Sequence, residues 1–203
     1  MALRVLVTGK PCAGKTTQAR ALEEMLIARG IKAVDIGGRK RRHDGGDSEK
    51  DNPMKVFAES LLSYTSAHLR AGNDVRDADV IISQRLPQDI LLGVRAALGR
   101  GGIIERACTM AAEVATKFTR HDLALYLDVS TGKLLERFAS RKDNRDSMHY
   151  RMIRDDDSSY IEMLRRGMGE ERVMVIDGDA GKEELRRAIY GKVAEALDGR
   201  RRQ

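Results

Sequence analysis

Residues 9–16 read Gly-Lys-Pro-Cys-Ala-Gly-Lys-Thr, and no other stretch restricts the fold of this chain as much. Ahead of it, Leu3 to Val7 is short, apolar and bounded by Gly9, as a buried strand requires. Behind it, Ala19, Leu22, Met25, Leu26 and Ala28 recur at roughly helical spacing between Lys15 and Arg29. The pattern Gly-x-x-x-x-Gly-Lys-Thr therefore stands where a strand turns at once into a helix, the context it needs. Gly9 and Gly14 can take positive φ and carry no Cβ, so consecutive N–H groups can face one anion. The helix start adds unpaired N–H groups and the positive end of its dipole. Lys15 supplies a mobile charge for β- and γ-phosphates, and Thr16 offers a hydroxyl to Mg²⁺. Lys10, Pro11, Cys12 and Ala13 complete the loop. The plain alternative is a glycine-rich turn with a surface lysine. All four fixed positions and both flanking elements favour a nucleoside triphosphate site.

Strand-like runs then alternate with helical ones. Lys32 to Ile36, Asp79 to Ser83, Leu123 to Val129 and Arg172 to Ile176 read as strands two to five. Helical patterns cover Pro53 to Ala71, Pro87 to Leu98, Glu105 to Thr119, Gly132 to Ser140, Asp155 to Arg166 and Lys182 to Leu197. Such alternation predicts an α/β fold, a five-stranded parallel sheet with helices on both faces. Ligands of such sheets bind at the carboxyl ends of the strands, where the loop after strand one lies. One domain is expected over 1–203, since 203 residues with 41% hydrophobic content support one sizeable core. Residues 37–52 are glycine-rich and charged and read as a flexible loop. The polar segment 141–154 reads as a lid able to close over phosphates, and 199–203 as a frayed tail.

The totals exclude several classes. No window holds eighteen apolar residues, so no membrane partner is expected. The first residues lead straight into a strand with no signal-peptide pattern, and a cytoplasmic protein is expected. With only two cysteines, Cys12 and Cys108, a disulfide is not expected. Cys12 sits near Lys15 and a helix start, a setting that can lower a thiol pKa, although a plain small residue also suits that place. The net charge of +6 fits a protein that handles polyphosphates. Nucleic acid is a poor partner for it, because aromatics make up only 4% and do not interleave with the basic runs. No histidine has metal-ligand spacing with the cysteines.

The base-reading Asn-Lys-x-Asp of a GTPase is absent, and the chain lacks the bulk of a motor core. Arg137, Arg141 and Arg145 are spaced four apart, so Arg137 and Arg141 share a helix face near the phosphates. An arginine in cis there neutralises charge on a transferring phosphoryl group; the alternative is surface pairing with Asp143 and Asp146.

With Gly-Lys-Thr-Thr-Gln at 14–18, Ala-Leu-Tyr-Leu-Asp-Val at 124–129, Leu-Leu-Glu-Arg-Phe-Ala-Ser-Arg at 134–141 and Val-Met-Val-Ile-Asp-Gly at 173–178, the chain resembles the thymidylate kinases. The resemblance implies a P-loop three-layer fold with a short arginine-rich lid. It also implies ATP as phosphoryl donor, Mg²⁺ as cofactor and a nucleoside monophosphate acceptor, dTMP or a related nucleotide. By the same resemblance Lys15, Thr16 and Thr17 hold phosphates and Mg²⁺, Arg137 and Arg141 are lid arginines, and the loop after Asp177 borders adenine. Lys15, Arg85, Arg137 and Arg141 are then the catalytic set.

The departures lie around the acceptor and the metal. The family follows its third strand with Asp-Arg, but this chain reads Ser83-Gln84-Arg85. Arg85 matches the arginine that contacts the acceptor phosphate, although pairing with Asp89 is its structural alternative. Gln84 takes the place of the aspartate that steadies the metal's water shell; an amide reaches such a water but adds no charge, so weaker metal binding is expected. Asp128 is a candidate substitute. The family's Arg-Glu-Pro after strand two is absent, leaving the basic cluster Arg39 to Arg42. Phe57 is either the base-stacking phenylalanine or a core residue, and Arg100 lies in a family-like Gly-Arg-Gly. Arg39, Phe57, Arg85 and Arg100 thus form the expected acceptor side. A same-fold kinase for another acceptor, and a nucleotide-binding regulatory module with weak turnover, stay open. So does a homodimer, since the sequence does not fix the oligomeric state.

Overall fold

In the computed structural model, residues 1–37, 75, 77–84, 102–103, 106–111, 114, 120–140, 147–154 and 158–202 are described. Strand β1 (Leu3–Gly9) leads through the glycine loop into α1 (Lys15–Ile27), then β2 (Ala33–Asp35) and β3 (Val80–Ser83). After β4 (Leu123–Asp128) come α2 (Thr131–Ala139), α3 (Ser147–Arg154) and α4 (Ser158–Met168). A 3₁₀ turn at Glu170–Arg172, β5 (Val173–Asp177) and α5 (Lys182–Arg201) follow. Residues 106–111 are also helical.

The five strands lie in the order β2-β3-β1-β4-β5, every neighbouring pair parallel. This is the α/β sheet that the alternation of runs predicts. The chain leaves β1 toward one side of the sheet and returns from β3 to β4 on the other, so the order reverses at β1. A crevice opens at such a reversal, at the carboxyl ends of the strands. Register places Leu6 of β1 beside Ser83, Gly9 beside Leu127, Asp35 beside Ile82 and Asp128 beside Asp177. One edge therefore carries the glycine loop, Asp35, Gln84, Asp128 and Asp177.

Because side chains alternate along a strand, the sheet has two apolar faces. Leu3, Val5 and Val7 of β1 join Leu123, Leu125 and Leu127 of β4 under α1 and α5, which contribute Ala19, Leu22, Leu26, Leu185, Ile189, Val193 and Leu197. Leu6, Ala124 and Tyr126 face the other way, against Tyr160, Met163 and Leu164 of α4 and Cys108. Helices thus cover both faces, and both cysteines are buried and outside any disulfide. Thr8, polar in the buried strand, shares a 2.8 Å hydrogen bond with the Tyr160 hydroxyl, which satisfies both groups.

Three expectations need correction. The second strand is shorter than the run Lys32 to Ile36 and covers Ala33–Asp35, Lys32 and Ile36 flanking it by lending the Lys32 carbonyl to the Val80 amide and the Ile36 amide to the Ile82 carbonyl. The polar segment 141–154 does not stay clear of the core: Met152 and Ile153 of α3 are buried. The tail does not fray from Gly199, since α5 runs to Arg201 and Arg200 is held by hydrogen bonds to the Met1 and Ala2 carbonyls. No helix among the described residues is long and apolar enough to cross a membrane.

Candidate active site

The loop between β1 and α1 has the backbone that its glycines imply. Gly9 has φ 146° and Gly14 φ 93°, and Cys12, at φ 66°, adopts a left-handed conformation costly for a side chain with a Cβ. A Cβ on Gly9 would stand 2.8 Å from the Leu127 carbonyl oxygen, so glycine is what lets β4 approach the loop. No side chain caps α1 among the described residues, and its first turn holds no acidic residue. Its N–H groups and dipole therefore favour an anion.

Lys15 is half-buried and crosses the loop, its Nζ donating to the carbonyls of Gly9 at 2.6 Å and Lys10 at 2.9 Å. Thr16 and Thr17 are exposed at the start of α1. Arg137, near the end of α2, brings its guanidinium over the same loop, with long contacts of 3.4 Å to the Cys12 carbonyl and 3.5 Å to that of Ala13. Arginine and lysine thus converge on the loop from two helices. The Lys10 side chain goes elsewhere: it is buried, and its ammonium donates at 2.9 Å to the Ile153 carbonyl in the last turn of α3. A helix C-terminus has unpaired carbonyls and a partial negative charge, which suits a lysine. Lys10 therefore contributes backbone to the loop and ties α3 beneath it. Arg39, Phe57, Arg85, Arg100 and Arg141 lie outside the described residues.

Gln84 is buried directly after β3. Its Oε1 accepts from the Thr16 hydroxyl at 2.7 Å, and its Nε2 donates to Asp35 Oδ2 at 2.5 Å. The amide expected to steady a metal-bound water does sit against Thr16, and its other end meets a carboxylate. Asp128 is exposed at the end of β4, on the same edge of the sheet as the glycine loop. Asp35 was not singled out by sequence reasoning. The available signal was an acidic residue closing strand two on the ligand-facing edge of the sheet.

The far wall joins the loops after β4 and β5. The Gly178 amide donates to the Asp128 carbonyl at 2.6 Å, and Asp177 Oδ1 accepts from the Asp179 amide at 2.8 Å. Asp179 in turn accepts from the Ser130 amide at 3.1 Å, and Lys133 donates to its carbonyl at 2.8 Å. Hydrogen bonding from Ser130 holds the Asp179 carboxyl below its ordinary pKa against the opposing effect of desolvation, with Lys133 and Arg137 adding attraction. Asp177 thus shapes this wall through the loop backbone.

Residues 5–162 match the AAA domain family. The chain belongs to that family. Its structure is similar to that of deoxyadenosine kinase from M. mycoides with bound dATP, with TM-score 0.63 and 15% identity over 95% of this chain and 100% of that one. It is also similar to deoxyadenosine kinase from M. mycoides with bound dCTP, with TM-score 0.57 and 13% identity over 95% and 100% of the two chains. At these identities the likeness is one of fold. No curated protein matches the chain in sequence.

Proposed function

We propose that this AAA-domain protein is an ATP-dependent kinase that transfers the γ-phosphoryl group to a nucleoside monophosphate, dTMP or a related nucleotide. The observation that carries the reading is the convergence of the Lys15 ammonium, the Thr16 hydroxyl and the Arg137 guanidinium on one glycine loop at the carboxyl edge of a parallel sheet. The monophosphate acceptor rests on the sequence resemblance and on Arg85. The fold likeness to deoxyadenosine kinase supports a second reading, a nucleoside acceptor phosphorylated on its hydroxyl.

In either case the chain works by position and charge. The backbone N–H groups of the loop, which Pro11 lacks, orient the phosphate chain, Lys15 turns from carbonyls to phosphate oxygens, and Arg137 meets charge that develops on the transferred group. The donor set fits Mg²⁺, which keeps several of its waters and is bound through substrate phosphates and a few protein oxygens rather than by a cage of ligands. Thr16 would hold it directly and Gln84 through water; the ion, when bound, neutralises phosphate charge.

The test is ADP release measured across ribo- and deoxynucleosides and their monophosphates. Turnover with a monophosphate that disappears in Lys15→Ala supports the first reading. Turnover with nucleosides alone moves the assignment to the second. Tight ATP binding with no active acceptor would leave a regulatory module.

A further inference from the structure

The kinase reading leaves a puzzle in Gln84, since a neutral amide holds the place where a carboxylate is expected beside Thr16. That amide is not an isolated replacement. Its Nε2 donates to Asp35 Oδ2 while its Oε1 accepts from Thr16 Oγ1. Only the NH₂ end of an amide can serve a carboxylate, so Asp35 fixes which way Gln84 faces. The Thr16 hydrogen is then committed to Gln84, which turns the hydroxyl's lone pairs away from Gln84 for a cation.

Asp35 is itself held firmly. Its Oδ1 accepts from the Gly37 amide at 2.9 Å, and its own amide donates to Glu23 Oε1 at 2.9 Å. The chain then passes so close over Gln84 that a Cβ on Gly37 would lie 2.8 Å from the Gln84 nitrogen. Thr16 and Glu23 of α1, Asp35 and Gly37 at the end of β2, and Gln84 after β3 thus form one unit, with the Asp35 carboxylate one hydrogen bond behind the amide.

We propose that Asp35 is the carboxylate of the cation site, a positioning residue that acts through Gln84 and Thr16, so that the charge missing from the end of β3 is supplied from the end of β2. The assignment rests on the kinase reading. It explains why residue 84 is an amide: a carboxylate there would face Asp35 across a hydrogen-bond distance, and one of the two would have to take up a proton.

The swap of charge between the two positions tests this. Asp35→Asn and Gln84→Glu keep size and shape, and the double variant returns one carboxylate and one amide in exchanged places. Binding of Mn²⁺ in the presence of saturating ADP is read by electron paramagnetic resonance, with ADP binding measured separately by calorimetry without divalent ion and folding checked by melting. Asp35→Asn is expected to weaken Mn²⁺ by about 10- to 100-fold, the range for outer partners of a metal site. Gln84→Glu alone should bind no better than wild type, and the double variant should recover most of the loss. If ADP binds and Mn²⁺ is indifferent to Asp35→Asn, or the double variant is no better than that single one, the assignment is wrong while the kinase reading stands. A wild type that takes up neither ADP nor Mn²⁺ removes both.

Discussion

Gly9, Lys15 and Arg137 fail in different ways when replaced, and the differences separate scaffold from chemistry. Gly9→Ala adds a Cβ 2.8 Å from the Leu127 carbonyl at a φ of 146° that L-residues rarely adopt. The expected loss is about 1–3 kcal/mol of stability, seen as a lower melting temperature, together with weaker ATP binding. Lys15→Ala removes bonds to two carbonyls of the loop and creates no clash, so its melting should stay near wild type. Its turnover should fall by at least about 10²-fold, as for loss of a fixed charge that meets the reacting group. Arg137→Ala surrenders contacts of 3.4 and 3.5 Å, too long to hold the loop together, and a minor attraction to the Asp179 carboxylate. It should lower turnover by about 10²- to 10³-fold while ATP affinity changes little. An equal fall in affinity would make Arg137 a binding contact instead.

The joint between the loops after β4 and β5 is held by element ends, and it should be sensitive to acid. The Asp179 carboxyl lies below its ordinary pKa because hydrogen bonding from Ser130, its side chain first and its amide after, favours the charged form. A carboxyl with a depressed folded pKa contributes stability above its unfolded pKa, about 3.9, and loses it as pH falls through the lower folded value. An NMR titration should therefore place the Asp179 midpoint below that of a free aspartate, and in Asp179→Asn the stability component lost over that acid window should be absent. A midpoint at the ordinary value would mean that Ser130 does not bond the charged form. This joint also shows what the sequence made legible. The run Leu-Ala-Leu-Tyr-Leu-Asp at 123–128 announces a buried parallel strand, because both its faces are covered, and Val-Met-Val-Ile-Asp at 173–177 announces the edge strand beside it, on which Val175 is exposed. The phosphate loop is equally legible, since its glycines, lysine and threonine are local in the chain. Asp35 with Gln84, Ser130 with Asp179 and Lys10 with Ile153 are not, being 49, 49 and 143 residues apart. No periodicity records which residues the crossovers bring to one edge. The burial of Met152 and Ile153 was hidden for a related reason, two apolar residues in a polar segment being too few for a pattern.

Across the whole molecule, binding and anchoring occupy opposite edges of the sheet. The candidate site lies where the strands end, whereas the start of β1 is fastened to the start of β4 and to the end of α5. The Arg4 amide donates to Asp122 Oδ2 at 2.8 Å, and the Asp122 amide donates back to the Arg4 carbonyl at 2.8 Å. Arg200 pairs with the other oxygen of Asp122 and donates to the Met1 and Ala2 carbonyls at 3.2 and 2.9 Å. The Asp122 and Arg200 side chains are about one-third exposed, so solvent screens the ion pair and the hydrogen bonds to carbonyls matter more. Arg200→Ala should accordingly cost about 1 kcal/mol, which in a chain of this size lowers the melting temperature by about 2–4 °C. Asp122→Asn keeps an oxygen for the Arg4 amide and loses only the charge, so its drop should be smaller and should shrink as salt is added. Neither variant should alter ATP affinity, because the clamp stands at the far end of the strands from the glycine loop. A melting temperature unmoved by Arg200→Ala would mean that Leu185, Ile189, Val193 and Leu197 dock α5 unaided. A change in ATP affinity at unchanged melting would mean that the two edges of the sheet are coupled.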